Sequence, residues 1–211
     1  MGTHIGGILG NFRGKVGAVI GSKWKGKWVM RGRPDVRKGK PNPALQQQQA
    51  KFALIVKFLQ PLSLLLNETH DTSPAEMTGF NNAVSENLRN AITGAYPALG
   101  IDYSKVVLSK GALQNVSVVS AASTVAGKLS FTWTDNSNGR TLPTDTAFVA
   151  VYNADLSRWI YFEQAAPRNA GTYSLDVSAF SGKAIQTYIG FVSADGQTVS
   201  NSLFTGQVNV L

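Results

Sequence analysis

Three patterns of apolar and polar positions follow one another along the chain. From residue 101 onward, β-branched and aromatic residues come in short runs broken by turn residues about every ten positions. Residues 106–108, 113–119, 128–134, 147–153, 159–164, 171–176, 185–192 and 202–210 read as strands, with turns at 135–139 and 194–196. Seven or eight short strands over this length are the count of an antiparallel β-sandwich. Leu129, Phe131 and Trp133 alternate along one of them, which predicts a buried Trp in the central strand of an immunoglobulin-like or fibronectin-type sandwich. The absence of cysteine favours the fibronectin-like form.

Residues 41–100 carry a helical period. Pro41 and Pro43 punctuate the entry, and Ala50, Leu54 and Phe58, with Ala53 and Val56 nearby, predict an apolar face from 44 to 60. Pro61 predicts a kink or a fresh start at Leu62. Ser73-Pro74-Ala75-Glu76 has the form of a capping box with Pro at the first helical position. The helix it opens is expected to run to about Thr93, stop at Gly94 and bury Met77, Phe80, Val84, Leu88 and Ile92.

Residues 1–40 are glycine-rich, with β-prone stretches at 15–20 and 27–31 and turn chemistry at Gly21-Ser22 and Lys25-Gly26. This predicts a hairpin too small to be stable alone. The fold class expected is α+β: a Gly-rich basic β-hairpin (1–40), a helical hairpin (41–100) and an antiparallel immunoglobulin-like β-sandwich (101–211).

Composition changes this picture little. The 211 residues are 43% hydrophobic and 15% charged, a globular balance. The apolar runs at 52–59 and 62–66 are interrupted by Lys57 and Pro61, so no membrane span is expected. The N-terminus has no signal-peptide core, and the expected location is the cytoplasm or a virion. With no Cys, disulfide scaffolds, thiolate metal sites and Cys nucleophiles are excluded.

Charge changes it more. The net charge is +8, yet residues 1–40 alone carry +9: Arg13, Lys15, Lys23, Lys25, Lys27, Arg31, Arg33, Arg37, Lys38 and Lys40 against Asp35. The remainder is near neutral. Such asymmetry bears on partners and points to a polyanion or a neighbouring subunit. Lys23-Trp24-Lys25-Gly26-Lys27-Trp28 alternates cations with aromatics. On one continuous strand, the lysines would face water and the tryptophans would pack inward.

Catalytic chemistry is sparse. His4 and His70 form no metal pair, and both are expected in exposed segments. There is no nucleophile elbow. Gly21 to Lys27 has P-loop spacing, but Trp28 stands where Ser or Thr would hold magnesium, and Pro34 follows too soon for the long helix. Asp135, Asp145, Asp155 and Asp195 fall in loops with nothing to pair them, and Asp135 with Asn136 and Asn138 reads as a turn. The chain is therefore expected to be neither an enzyme nor a cofactor protein.

Residues 7–17 (Gly-Ile-Leu-Gly-Asn-Phe-Arg-Gly-Lys-Val-Gly), Trp24 and Gly26 with Arg31 and Pro34, Lys51-Phe52, the 101–111 segment and Trp133 resemble an uncharacterised Bacteroidota protein family. So does the closing stretch from Tyr188 through Ser193-Ala194-Asp195-Gly196 to Ser200-Asn201-Ser202. The resemblance implies no activity and no catalytic residue. Two functions remain in view. One is a non-enzymatic structural protein of a virion or other multi-subunit particle, as a homo-oligomer or larger assembly. The other is a cytoplasmic, sequence-independent nucleic-acid-binding protein using the basic arm. A carbohydrate-binding module ranks below both, for want of a secretion signal.

Overall fold

A computed structural model of the chain describes residues 3–4, 12–24, 26–34, 42–70 and 77–211. The chain divides into two compact units, Met1–Asn42 and Pro43–Leu211. The first is an antiparallel sheet of β1 (Thr3–His4), β2 (Phe12–Val16), β3 (Val19–Trp24) and β4 (Lys27–Gly32), in that order. The second holds both the helical segment and the sandwich.

Helix α1 (Pro43–Leu59) passes through a 3₁₀ turn at Gln60–Leu62, centred on Pro61, into α2 (Ser63–Thr69). This combined run is long and apolar enough by length and composition to cross a membrane. Its second half supplies Ile55, Phe58, Leu59, Leu62, Leu65 and Leu66 to a buried core. The expected stripe through Ala50, Ala53 and Leu54 is therefore displaced. Phe58 is buried, but Ile55 and Leu59 are its companions, while Ala53 faces out.

Helix α3 (Gly79–Asn90) begins later than expected. Its cap is Thr78, extended at ψ 153°, whose hydroxyl accepts from the Asn81 N–H at 3.2 Å. An extended Thr78 prevents a helix opening at Pro74 from running through; Ser73 to Glu76 lie outside the described residues. The helix also ends before Thr93. Ile92–Ala95 (β5) turns back on Ala98–Ile101 (β6) as a small hairpin, and Gly94, at φ +80°, sits where a Cβ would collide with the Ala98 carbonyl.

The sandwich follows: β7 (Val119–Val125), β8 (Lys128–Trp133), β9 (Thr146–Asn153), β10 (Arg158–Pro167), β11 (Thr172–Asp176), β12 (Ala184–Val192) and β13 (Leu203–Asn209). One antiparallel sheet has the order β11-β8-β7, the other β10-β9-β12-β13. Seven strands split three and four in this order make a fibronectin-like β-sandwich, and with the helices the chain is α+β. Trp133 is buried, its ring edge-on to Phe191 at 5.7 Å and its Nε1–H donating to the Arg168 carbonyl at 2.7 Å. Two expected strands are absent. Residues 106–108 bury Val106 and Leu108 without a ladder: the Val107 N–H donates to Asn87 Oδ1 and the Leu108 N–H to Ser202 Oγ, both at 2.8 Å. In the 113–119 stretch Leu113 makes one isolated bridge to Ser200, and the strand begins only at Val119.

The larger sheet is covered on both faces. Ala147, Val149, Val151, Ile185, Ile189 and Phe191 join Leu129, Phe131, Trp133 and Leu175 of the facing sheet in one core. Phe148, Ala150, Tyr152 and Tyr188, on the opposite face, join the helical core. Trp159 seals that second layer, its Nε1–H donating to the Phe58 carbonyl at 2.8 Å and its ring 5.0 Å from the Phe58 ring. A fragment of residues 105–211 would therefore expose Phe148, Tyr152, Trp159 and Tyr188 together. We expect it to bind a hydrophobic dye and melt without cooperativity, while 43–211 gives a single cooperative thermal transition. Two equally cooperative melts would show that the helices are dispensable.

Candidate polyanion and assembly interface

In the first unit, two tight loops set the register. Val16 pairs with Val19 around Gly17-Ala18, and Trp24 pairs with Lys27 across residues 25–26. Gly17 at φ +58° and Gly26 at φ +81° supply the left-handed backbone that such two-residue hairpin loops require. Gly21-Ser22, expected to turn, instead lies inside β3, where a Cβ at Gly21 would strike the Phe12 ring and carbonyl.

Cross-strand partners share a face. Phe12, Val16, Val19, Lys23, Trp28 and Met30 fall on one side of the sheet. Arg13, Lys15, Ile20, Trp24, Lys27, Val29 and Arg31 fall on the other. The expected sorting of lysines from tryptophans across residues 23–28 is thus corrected. The chain reverses between Trp24 and Lys27, so Lys23 lies beside Trp28, its Nζ 5.8 Å from the ring centre, and Trp24 lies beside Lys27. Nor are the indoles both turned inward: Trp24 is 56% exposed and Trp28 37%. Of the predicted cations, the structure brings Arg13, Lys15, Lys27 and Arg31 to one face and places Lys23 on the other. Arg33 follows the end of β4, its N–H donating to the Ala18 carbonyl at 2.7 Å. Lys25, Arg37, Lys38 and Lys40 lie outside the described residues.

The second unit buries polar groups in the loops at one end of the sandwich. Arg168 is fully buried, with Nη1 donating to Asn136 Oδ1 at 2.8 Å, Nη2 to the Gln114 carbonyl at 3.0 Å, and Nε 3.4 Å from Asp145 Oδ2. Its guanidinium lies 4.5 Å over the Phe191 ring. Burial pulls the guanidinium below its usual range, and the Asp145 carboxylate opposes that. Asp145, also buried, accepts the N–H groups of Leu142 and Ala194. These bonds tie the loops at one end of the sandwich, a structural task that the loop position of Asp145 gave no sign of. Asp145→Ala would leave Arg168 buried and uncompensated; we expect a loss of about 3–5 kcal/mol in denaturant unfolding.

His70 is the other correction. It is fully buried at the end of α2, under the segment where the Thr69 hydroxyl donates to the Leu108 carbonyl and the Lys110 N–H to the Thr69 carbonyl. A loop histidine became a core histidine because another segment crosses over it. Burial pulls its pKa down to about 4, with Glu86 pulling the other way. The unfolded chain, titrating near 6.5, takes up the proton first. Stability present above about pH 6.5 is therefore lost as the pH falls toward 4, by about 3 kcal/mol in all. Urea titrations across this window should show that slope in the wild type and its loss in His70→Leu. Among the described residues, no three His, Asp or Glu side chains gather to hold a metal ion.

None of the curated proteins compared matches the chain. Among solved structures, the chain is similar to the fn3 domain of the human collagen alpha-1(XX) chain, determined in solution. The likeness is 18% in sequence identity, covers 46% of this chain and 85% of that one, and has a TM-score of 0.35. The uncharacterised character of the family resembled by the sequence is met directly. Residues 11–206, most of the chain, match a family of unknown function, DUF6266, and the protein belongs to that family.

Proposed function

We propose that the chain is a non-enzymatic structural protein of a multi-subunit assembly, a virion or another particle, joined through the apolar face of the β1–β4 sheet. One observation carries this reading: Val16, Val19, Trp28 and Met30 share one face and are 53%, 38%, 37% and 71% exposed. A small sheet with an open apolar face is poorly stable in water, and contiguous exposed apolar surface marks an interaction site.

The occupant is a second copy of the same chain. Lys23 is the one cation among the described residues of that face, and it leans over Trp28. Stacking two copies apolar face to apolar face, about 10 Å apart, keeps Arg13, Lys15, Lys27 and Arg31 on the outer surfaces. Basic face on basic face would set four cations against four, and basic face on apolar face would bury those cations against apolar side chains. The proposal includes a cytoplasmic or virion location and a Bacteroidota source with the motif of residues 7–17 as the family's signature.

Light scattering on the full chain tests it. The wild type is expected to be oligomeric and to stay so at high salt, because screening weakens cation repulsion without weakening apolar contact. Val16→Asp with Met30→Asp places two charges on exposed positions and should yield monomer with an unchanged melting temperature of the second unit. A wild type that is monomeric at micromolar concentration in both salts defeats the reading.

A further inference from the structure

We infer that the opposite, basic face of the same sheet binds single-stranded nucleic acid without sequence preference, its phosphates lying against Arg13, Lys15, Lys27 and Arg31 and a base stacking on Trp24. This face is turned away from the one proposed for assembly, and either can fail without the other.

The register lays the groups out in rows. Lys15, Ile20 and Arg31 are partners across three strands, Ser22 and Val29 form the next row of the face, and Trp24 and Lys27 the one beside the hairpin loop. Same-face rows are about 7 Å apart, so the indole lies about 13 Å from the Lys15–Arg31 row. The described residues of strands β1 to β4 contain no Asp or Glu, and the described charges on this face are all positive.

Charge complementarity selects a polyanion, and Trp24 selects among polyanions. A sulfated polysaccharide or an acidic protein surface carries no planar base, so it gains less than a base does from an indole that is 56% exposed. A duplex offers phosphates but keeps its bases stacked inside. A single strand offers both, and stacking on an aromatic tolerates any base. An exposed sheet face suits splayed bases in the manner of other single-strand platforms built on β-sheets. The site spans only a few nucleotides, so one copy binds weakly, and copies held together would bind a long strand far more tightly than one alone.

The test uses the full chain with fluorescein-labelled dT15, a 15-base-pair duplex and heparin, read by anisotropy at several salt concentrations. The wild type should bind dT15 more tightly than the duplex and quench tryptophan emission. Trp24→Leu should weaken dT15 binding by roughly 5- to 150-fold while leaving heparin and duplex unchanged. Trp24→Phe, which keeps a stacking ring, should restore most of that loss, and Trp28→Leu, on the other face, should have no effect. Lys27→Gln and Arg31→Gln should weaken all three probes and flatten the dT15 salt slope by about 0.7 for each phosphate no longer neutralised. The inference is overturned if dT15 does not bind at low salt, if Trp24→Leu binds dT15 like the wild type, or if Trp24→Phe loses as much as Trp24→Leu. Unchanged light scattering in the Trp24 variants separates this result from the assembly reading.

Discussion

Strands β9 and β12 have no solvent side, and the architecture of the second unit follows from that. In an exposed sheet, period-two alternation spares one face for water. Ala147-Phe148-Val149-Ala150-Val151-Tyr152 has no polar position to spare, and every one of these residues is buried. A sandwich covers only one face of such a strand, so a second layer is needed. The α1–α2 run and α3 provide it, with Phe58 edge-on to Tyr152 at 4.8 Å. Gly190 belongs to the same constraint, since a Cβ there would occupy the space of the Phe148 ring. The helices are thus the second cover of a sheet that would otherwise present a broad apolar surface.

At the end of the sandwich, burial is managed with charge. Covering Arg168 is tolerable because its Nη donors meet Asn136 and Gln114, the Asp145 carboxylate supplies counter-charge 3.4 Å from Nε, and Phe191 offers its ring face. Its backbone carbonyl meanwhile receives the Trp133 indole N–H. One residue fixes the loops and the central Trp at once, which leaves it committed to structure and unsuited to chemistry on a ligand.

The sandwich was legible in sequence because turns interrupt apolar runs at regular intervals, and strands β8 to β13 fall within a few residues of expectation. Strand β7 was not. Ala121, Ala122 and Ser123 carry little β-propensity, and this edge strand shifts register between Ala122 and Val125, so tertiary pairing makes the strand. The burial of His70 and the buried pairing of Asp145 are not legible for a related reason: local sequence says that a residue lies between elements, but not which other segment crosses above it. The basic arm was legible in charge, while its faces were not. The pattern from Lys23 to Trp28 alternates along the sequence, but the loop at residues 25–26 makes space alternate differently.

That reversal reconciles two features of the N-terminal sheet which compete when read along the chain. The excess of cations suggests an outward, solvated surface; the tryptophans, valines and Phe12 suggest a packed one. Antiparallel pairing sorts them, with most of the charge on one side and most of the aliphatic and aromatic surface on the other. Neither side then has to compromise, because desolvating the apolar face requires burying only Lys23 among the described cations, and its stem can lie along Trp28 with the ammonium near the rim. In a sheet sorted in this way, contact would stabilise the apolar face and counter-charge the basic one. Covering the first face with a second copy concentrates the second: two outward basic faces on one dimer raise the local potential and so strengthen the attraction for a polyanion. Polyanion binding in turn removes the repulsion that opposes bringing two +9 segments together. Were both proposals to hold, assembly and polyanion binding would assist one another while using opposite faces, and neither would require the other.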